Sequence, residues 1–239
     1  MSILLKLIEM SEFWVQFYNE FPEFFIYAIL GAVFILLIFS WYYIVYFFLS
    51  FKKTKRFPKG ETKFKYAVLI PARNEDQVIG KLLDSLKNQT YPAEYFDVYV
   101  IVESKDDPTC KITKKYGYDI VIRKDLQNKR TKGFALDEAY HHIKELGRKY
   151  DAYMIFDADN IVTSEYIDLL NDVKNAGYQV GMGYRNFTNA STNWISACSG
   201  ALFTYMNEFT SKGRSRLFKK VTLTGTGYYV NSDIIDNVG

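Results

Sequence analysis

The run Tyr153-Met154-Ile155-Phe156-Asp157-Ala158-Asp159 decides how this chain is read. Four apolar residues make a short buried strand, and two carboxylates follow at its end. Residues two apart on a strand point to the same face, so Asp157 and Asp159 are predicted to enter one crevice together. Acids placed there suit a hard divalent cation and the phosphates it neutralises. The same triplet also occurs in ordinary turns and helix caps, so the surrounding elements have to carry the reading.

Those elements alternate. Residues 66–70 form a continuous apolar strand ended by Pro71, and residues 98–102 a second. Asn74 and Gln77 are spaced as a capping box for a helix with Val78, Ile79, Leu82, Leu83 and Leu86 on one face. Asp107-Pro108 caps and opens a helix that Gly117 can close. Residues 120–122 make a third strand. Thr131 opens a helix carrying Ala135, Leu136, Ala139, Ile143 and Leu146, stopped by Gly147. A helix over 164–176, closed by Gly177, and a strand over 179–184 follow the acidic triplet. Strands alternating with helices predict an α/β fold with a mostly parallel sheet and flanking helices. Ligands of such sheets bind beyond the carboxyl ends of the strands.

Ahead of this series, residues 24–51 contain no charged side chain. That run exceeds the roughly 20 residues needed to cross a bilayer, and it lacks a small-residue cleavage site. It is therefore predicted to be an N-terminal transmembrane helix. The basic cluster Lys52-Lys53-Thr54-Lys55-Arg56 follows at once, which orients the C-terminal side toward the cytoplasm. The expected organisation is an amphipathic segment at 1–23, the span at 24–51, a basic linker at 52–65 and a cytoplasmic domain at 66–239. The chain carries 30 basic and 27 acidic residues, a net charge of +3, which does not suggest a nucleic-acid partner. Cys110 and Cys198 are the only cysteines, too few and too far apart for a disulfide scaffold or a zinc pair.

Five short stretches fall at the strand ends or helix starts of this plan. They are Pro71-Ala72-Arg73-Asn74-Glu75, Glu103-Ser104-Lys105-Asp106-Asp107, Lys129-Arg130-Thr131-Lys132-Gly133, Asp157-Ala158-Asp159 and Gly225-Thr226-Gly227. Singly, each has a plain structural reading. They could be a strand-to-helix turn, helix-start acids favouring the dipole, a solvated lysine, a turn and a hairpin bend. In this order and spacing the set closely resembles the inverting glycosyltransferases of family 2, over about residues 66–239. That family includes membrane-bound synthases of cellulose, hyaluronan and related polysaccharides.

The resemblance implies a GT-A fold, a Rossmann-like arrangement that binds a nucleotide-sugar. By the same resemblance Pro71, Ala72, Arg73 and Glu75 surround the uridine and ribose. Glu103, where the family usually has Asp, and Asp106 hold the base or ribose. Lys132 and Gly133 meet the phosphates, a role Lys129 and Arg130 could share. Asp159 ligates Mg²⁺ or Mn²⁺, and Asp157 supports the metal or the nucleotide. Gly225, Thr226 and Gly227 line the sugar or acceptor pocket. The implied reaction moves a sugar from a nucleoside-diphosphate sugar, a UDP-sugar by expectation, to an acceptor hydroxyl with inversion. The acceptor is a glycan or a lipid-linked molecule, the other partner is membrane lipid, and the implied location is the inner (plasma) membrane. The family's general base follows the glycine-threonine-glycine loop within an acidic motif that is not found before Gly239. It is therefore expected beyond that residue, in a longer enzyme. Without it, a non-catalytic nucleotide-binding scaffold remains the competing reading.

Overall fold

Tyr66, Val68 and Ile70 on one face of the first strand and Ala67 and Leu69 on the other are all buried, so this strand needs cover on both sides. The computed structural model supplies it, and describes residues 10, 12–17, 23–51, 56–125, 131–186, 192–218, 220 and 222–238. Strand β1 (Tyr66–Pro71) lies between β2 (Phe96–Val102) and β4 (Ala152–Ile155), parallel to both, and β3 (Asp119–Ile122) adds parallel to β2. Two more strands complete a six-stranded sheet in the order β3-β2-β1-β4-β6-β5. They are β5 (Val180–Met182) and β6 (Tyr228–Asn231), and β6 runs antiparallel between β4 and β5.

The two faces bury different helices. Helix α1 (Glu23–Ser50) stands apart from the sheet and is taken up below. Leu82, Leu83 and Leu86 of α2 (Ile79–Lys87), Cys110 of α3 (Thr109–Tyr116) and Ile167 and Leu170 of α5 (Tyr166–Asn175) pack with Val68, Val100, Met154 and Phe156. On the other face, Ala135, Ala139, Tyr140 and Ile143 of α4 (Lys132–Glu145) meet Leu69, Tyr99, Ile101 and Tyr153. Each fully buried Leu or Ile in these layers contributes about 1.5–3 kcal/mol. Leu146, expected on the inner face of α4, is exposed; the helix has ended and Gly147 turns the chain at φ +68°.

One local expectation changes, and two stretches carry elements that the sequence left unassigned. The capping box at Asn74 and Gln77 does not form. Asn74 sits at φ +54° with its amide bound to Asp107, and α2 starts only at Ile79. Strand β6 carries no assignment from the sequence, because a four-residue strand after a glycine turn is too short for its periodicity to speak. The segment between β5 and β6 is largely helical, with α6 (Trp194–Tyr205), a π-helical turn (Met206–Ser211) and α7 (Lys212–Phe218); α8 (Ser232–Val238) follows β6.

Helix α1 is the one described helix long and apolar enough to cross a membrane. Its 28 residues give a length of about 42 Å at 1.5 Å per residue. Among them only Tyr46 and Ser50 are buried, both near its C-terminal end. In the preceding segment Phe13, Trp14, Val15 and Phe17 are exposed; the cluster Lys52-Lys53-Thr54-Lys55 lies outside the described residues.

Asn171 is the polar pin of the first core, 1% exposed. Its Oδ1 accepts from Tyr66 Oη at 3.1 Å, Tyr91 Oη at 2.9 Å and the Phe64 amide at 3.2 Å, and its Nδ2 donates to the Thr62 carbonyl at 2.9 Å. Asn171→Ala takes the acceptor from the Tyr66 hydroxyl and the Phe64 amide, each costing about 1–3 kcal/mol when left unpaired, while the Tyr91 hydroxyl keeps the Phe64 carbonyl at 2.7 Å. A loss of about 2–4 kcal/mol is expected from denaturant midpoints, against little change for Lys111→Ala on the exposed side of α3.

Candidate functional site

Strand β4 ends at Ile155, and the two acids lie in the turn that follows, closed by the Asn160 amide on the Asp157 carbonyl at 3.1 Å. The turn therefore orients them, and the strand-face argument made from the sequence is replaced. Asp157 is partly exposed, Ala158 between the acids is buried, and Asp159 is exposed with its Oδ1 accepting from Asn160 Nδ2 at 3.2 Å.

The distant glycine loop lies directly on this turn. The Gly227 amide donates to the Ile155 carbonyl at 2.8 Å, and the Thr226 hydroxyl accepts from the Asp157 amide at 2.7 Å. Thr226 is 1% exposed and its hydroxyl also bonds Asn160 Oδ1. Gly225 and Gly227 take φ of +81° and +69°, a region in which a β-carbon is penalised. Gly227 is further constrained from below, where a β-carbon would stand 3.0 Å from the Tyr166 hydroxyl. That hydroxyl donates to the Gly227 carbonyl at 2.7 Å, and burial pushes its pKa up to about 12, so it stays a donor.

Lys132 opens α4 and turns onto the same point. Its ammonium contacts Asp157 Oδ1 and donates to the Gly225 carbonyl at 2.5 Å. Three stretches separated by tens of residues thus meet around one position. The helix cap Thr131 makes no side-chain capping bond, and the N-terminus of α4 lies beside this point. Gly133 is exposed, and a β-carbon there would meet only Thr131 Oγ1 at 3.8 Å; close packing does not require a glycine. Lys129 and Arg130 lie outside the described residues.

A second cluster forms at the ends of β1 and β2. The Ala72 amide continues the pairing onto the Ile101 carbonyl at 2.8 Å, and Arg73 Nε reaches Glu103 Oε2 at 3.3 Å. Buried Asp107 fixes this edge. One oxygen accepts the Asn74 amide at 3.0 Å and the other the Thr109 amide at 2.9 Å, while Thr109 Oγ1 accepts the Glu75 amide at 2.9 Å. Asp106, singled out from the sequence, is exposed, with only its amide tied to Ser104 Oγ at 3.2 Å.

Sequence reasoning had seen Asp107 only as a helix cap, and it missed Asn160, Tyr166 and Arg185. Arg185, beyond β5, donates to the Thr224 carbonyl at 2.7 Å and so braces the glycine loop from outside. Asn160 was the most accessible of the three, since an Asn closing an acidic triplet is a turn signal in itself.

Removing the Thr226 hydroxyl tests this architecture. Thr226→Val leaves the Asp157 amide only its longer bond to Asn160 Oδ1 at 3.3 Å and is expected to cost about 1–3 kcal/mol of stability. Thr226→Ser should restore most of it in the same denaturation measurement.

Known proteins share this plan. The probable glycosyltransferase YdaM of Bacillus subtilis (strain 168) is 29% identical over 185 residues, 73% of this chain and 42% of the relative. The beta-monoglucosyldiacylglycerol synthase of Trichormus variabilis is 25% identical over 181 residues, 72% of this chain and 37% of the relative. The chain thus spans less than half the length of the curated relatives it matches. The solved structure of the mannosyltransferase PcManGT from Pyrobaculum calidifontis in complex with GDP-Man and Mn²⁺ superposes with a TM-score of 0.61 at 16% identity. It covers 89% of this chain and 56% of that one, and the likeness shows the GT-A fold. A family model described as glycosyltransferase like family 2 matches residues 64–239. The chain therefore belongs to the glycosyltransferase-like family 2.

Proposed function

We propose that this chain is the donor-binding part of a membrane-anchored, metal-dependent transferase. The reaction moves a sugar from a nucleoside diphosphate, UDP by preference, to a glycan hydroxyl with inversion. The carrying observation is the convergence of Lys132, Asp157 and the Gly225–Gly227 loop at the carboxyl end of β4. That is the place where an open α/β sheet binds its ligand.

The residues fit a divalent cation. The Lys132 ammonium rests between a carboxylate oxygen and a carbonyl, so this oxygen pair already accepts a positive charge. Among the described residues no cluster of three His, Cys, Asp or Glu side chains exists. Mg²⁺ and Mn²⁺ do not need one, since one or two carboxylates suffice when substrate phosphates and water complete the shell. Asp159, exposed and accepting a hydrogen bond from Asn160, would be a protein ligand, with Asp157 beside it. When bound, such a cation neutralises charge developing on the departing diphosphate.

The remaining work belongs to side chains. Lys132, at the N-terminus of α4 where the helix dipole favours anions, binds the diphosphate oxygens. Asp107 holds the backbone of 74–75 in place, so that the Arg73–Glu103 edge stays aligned with the base and ribose. The loop at Gly225–Gly227, made narrow by its glycines, brings backbone rather than side chains to the sugar. The acceptor hydroxyl must lose its proton to a base in line with attack. The family resemblance puts that base downstream of this loop.

A lipid acceptor is the second reading, favoured by the exposed apolar helix α6 next to the site and by the name of the Trichormus relative. On either reading α1 crosses the plasma membrane and the basic residues after it keep the domain in the cytoplasm.

Calorimetric titration of the detergent-solubilised chain with UDP tests the donor site. Binding is expected to require Mn²⁺, and Asp159→Ala should abolish that requirement's benefit. Lys132→Ala should weaken UDP by about tenfold or more with the metal present, as a lost charge-assisted bond is worth about 1.5–3 kcal/mol. Failure of the wild-type chain to bind UDP with or without Mn²⁺ would refute the donor reading. Binding without transfer, persisting in the full-length protein, would favour a scaffold.

A further inference from the structure

Helix α6 spends twelve residues without a charged side chain, yet little of it is covered. At 100° per residue, Trp194, Ile195, Cys198, Ala201, Leu202 and Tyr205 fall on about one third of its circumference. All six are exposed, Trp194 to 76%, Ile195 to 60% and Leu202 to 58%. Gly200 and Phe203 on the opposite side turn inward. A stripe of this kind is out of place in water.

Its position says what covers it. The chain runs on from α6 through the π-helical turn into α7, and both of these sit on the C-terminal end of α1. The Phe209 ring stacks on Phe47 with centroids 5.3 Å apart. Gly213 lies so close that a β-carbon would stand 2.8 Å from Tyr46 Cβ, and Arg216 donates to the Leu49 carbonyl. Contact is therefore confined to the end of the apolar helix where the basic stretch Lys52-Lys53-Thr54-Lys55-Arg56 begins in the sequence. Helix α6 is about 18 Å long at 1.5 Å per residue, too short to cross a bilayer of about 30 Å. Lys212 is paired with Glu208 at 2.8 Å, and Arg214, Arg216 and Lys220 leave the segment with the net positive charge that anionic headgroups attract.

We propose that the stripe Trp194-Ile195-Cys198-Leu202-Tyr205 is seated in the headgroup–acyl boundary of the membrane that α1 crosses, parallel to its surface. This rests on the reading of α1 as a span. The seat is joined to the site through Arg185. Its guanidinium lies 4.8 Å over the Phe203 ring and its carbonyl accepts from buried Asn207 Nδ2 at 2.5 Å. The same guanidinium holds the Thr224 carbonyl at the start of the glycine loop. The sugar-binding loop is thereby fixed at the lipid surface, facing an acceptor that arrives there.

Cys198 lies in the stripe and Cys110 is buried, so a nitroxide can be placed on the native residue in a Cys110→Ser background. The chain is reconstituted in nanodiscs containing phosphatidylglycerol. A second label on Ile35→Cys, in a chain with both native cysteines replaced by serine, reports on the span. Collisions with oxygen should exceed those with a water-soluble nickel chelate at both positions. Nickel access at Cys198 with oxygen-dominated collisions at Ile35 would overturn the seat while leaving the span intact. Nickel access at both would overturn the span and the seat together. Protection of Cys198 from both reagents with spin–spin broadening would assign the stripe to a second copy of the chain and overturn the proposal.

Discussion

Two hydrogen bonds hold the functional centre together, the Gly227 amide on the Ile155 carbonyl and the Asp157 amide on the Thr226 hydroxyl. They splice an antiparallel strand onto the end of a parallel one. A chain that has wandered through α6 and α7 is thereby returned to the acidic turn it left some tens of residues earlier. Without that splice, Lys132 and Asp157 would face open solvent, and the loop carbonyl that Lys132 also binds would be elsewhere. The geometry is demanding, because it needs two left-handed backbone positions and a buried hydroxyl within a single three-residue stretch. Glycine, threonine and glycine meet those needs in order.

The parallel half of the fold was legible in the residues. Continuous apolar runs of five residues at 66–70 and 98–102 are of the length and pattern of strands buried on both faces, and Gly117, Gly147 and Gly177 stop their helices at φ of +74°, +68° and +87°. The antiparallel half was not. Tyr228, Tyr229 and Val230 are good strand formers, but the partners they choose depend on β4 and β5 and on a connection whose length the local pattern does not encode. The same limit applies to the site. Lys132, Asp157 and the glycine loop were each visible as motifs, whereas Asp107 and Arg185 act by binding backbone of another segment, a role that no residue type advertises. The Asn74 capping box failed for a related reason: a tertiary bond from Asp107 took the amide and left the local motif without its geometry.

Helix α1 and the candidate site are connected by packing. Tyr46, Phe47 and Leu49 at the end of α1 meet Gly213, Phe209 and Arg216, and from there a continuous path of contacts leads through Asn207 and Arg185 to Thr224. On the proposed reading, this packing would hold the donor site at a set height above the lipid, an arrangement suited to an acceptor confined to the membrane.

The most direct test is to locate the metal and the nucleotide together, by anomalous scattering from crystals of the chain grown in lipid with UDP and Mn²⁺. The account requires one manganese peak beside Asp159, bridging to the diphosphate, with the Lys132 ammonium moved from Asp157 onto a phosphate oxygen and the uracil against the Arg73–Glu103 edge. A nucleotide bound away from the β4 turn, or a manganese peak that does not touch Asp159 or Asp157, would contradict it.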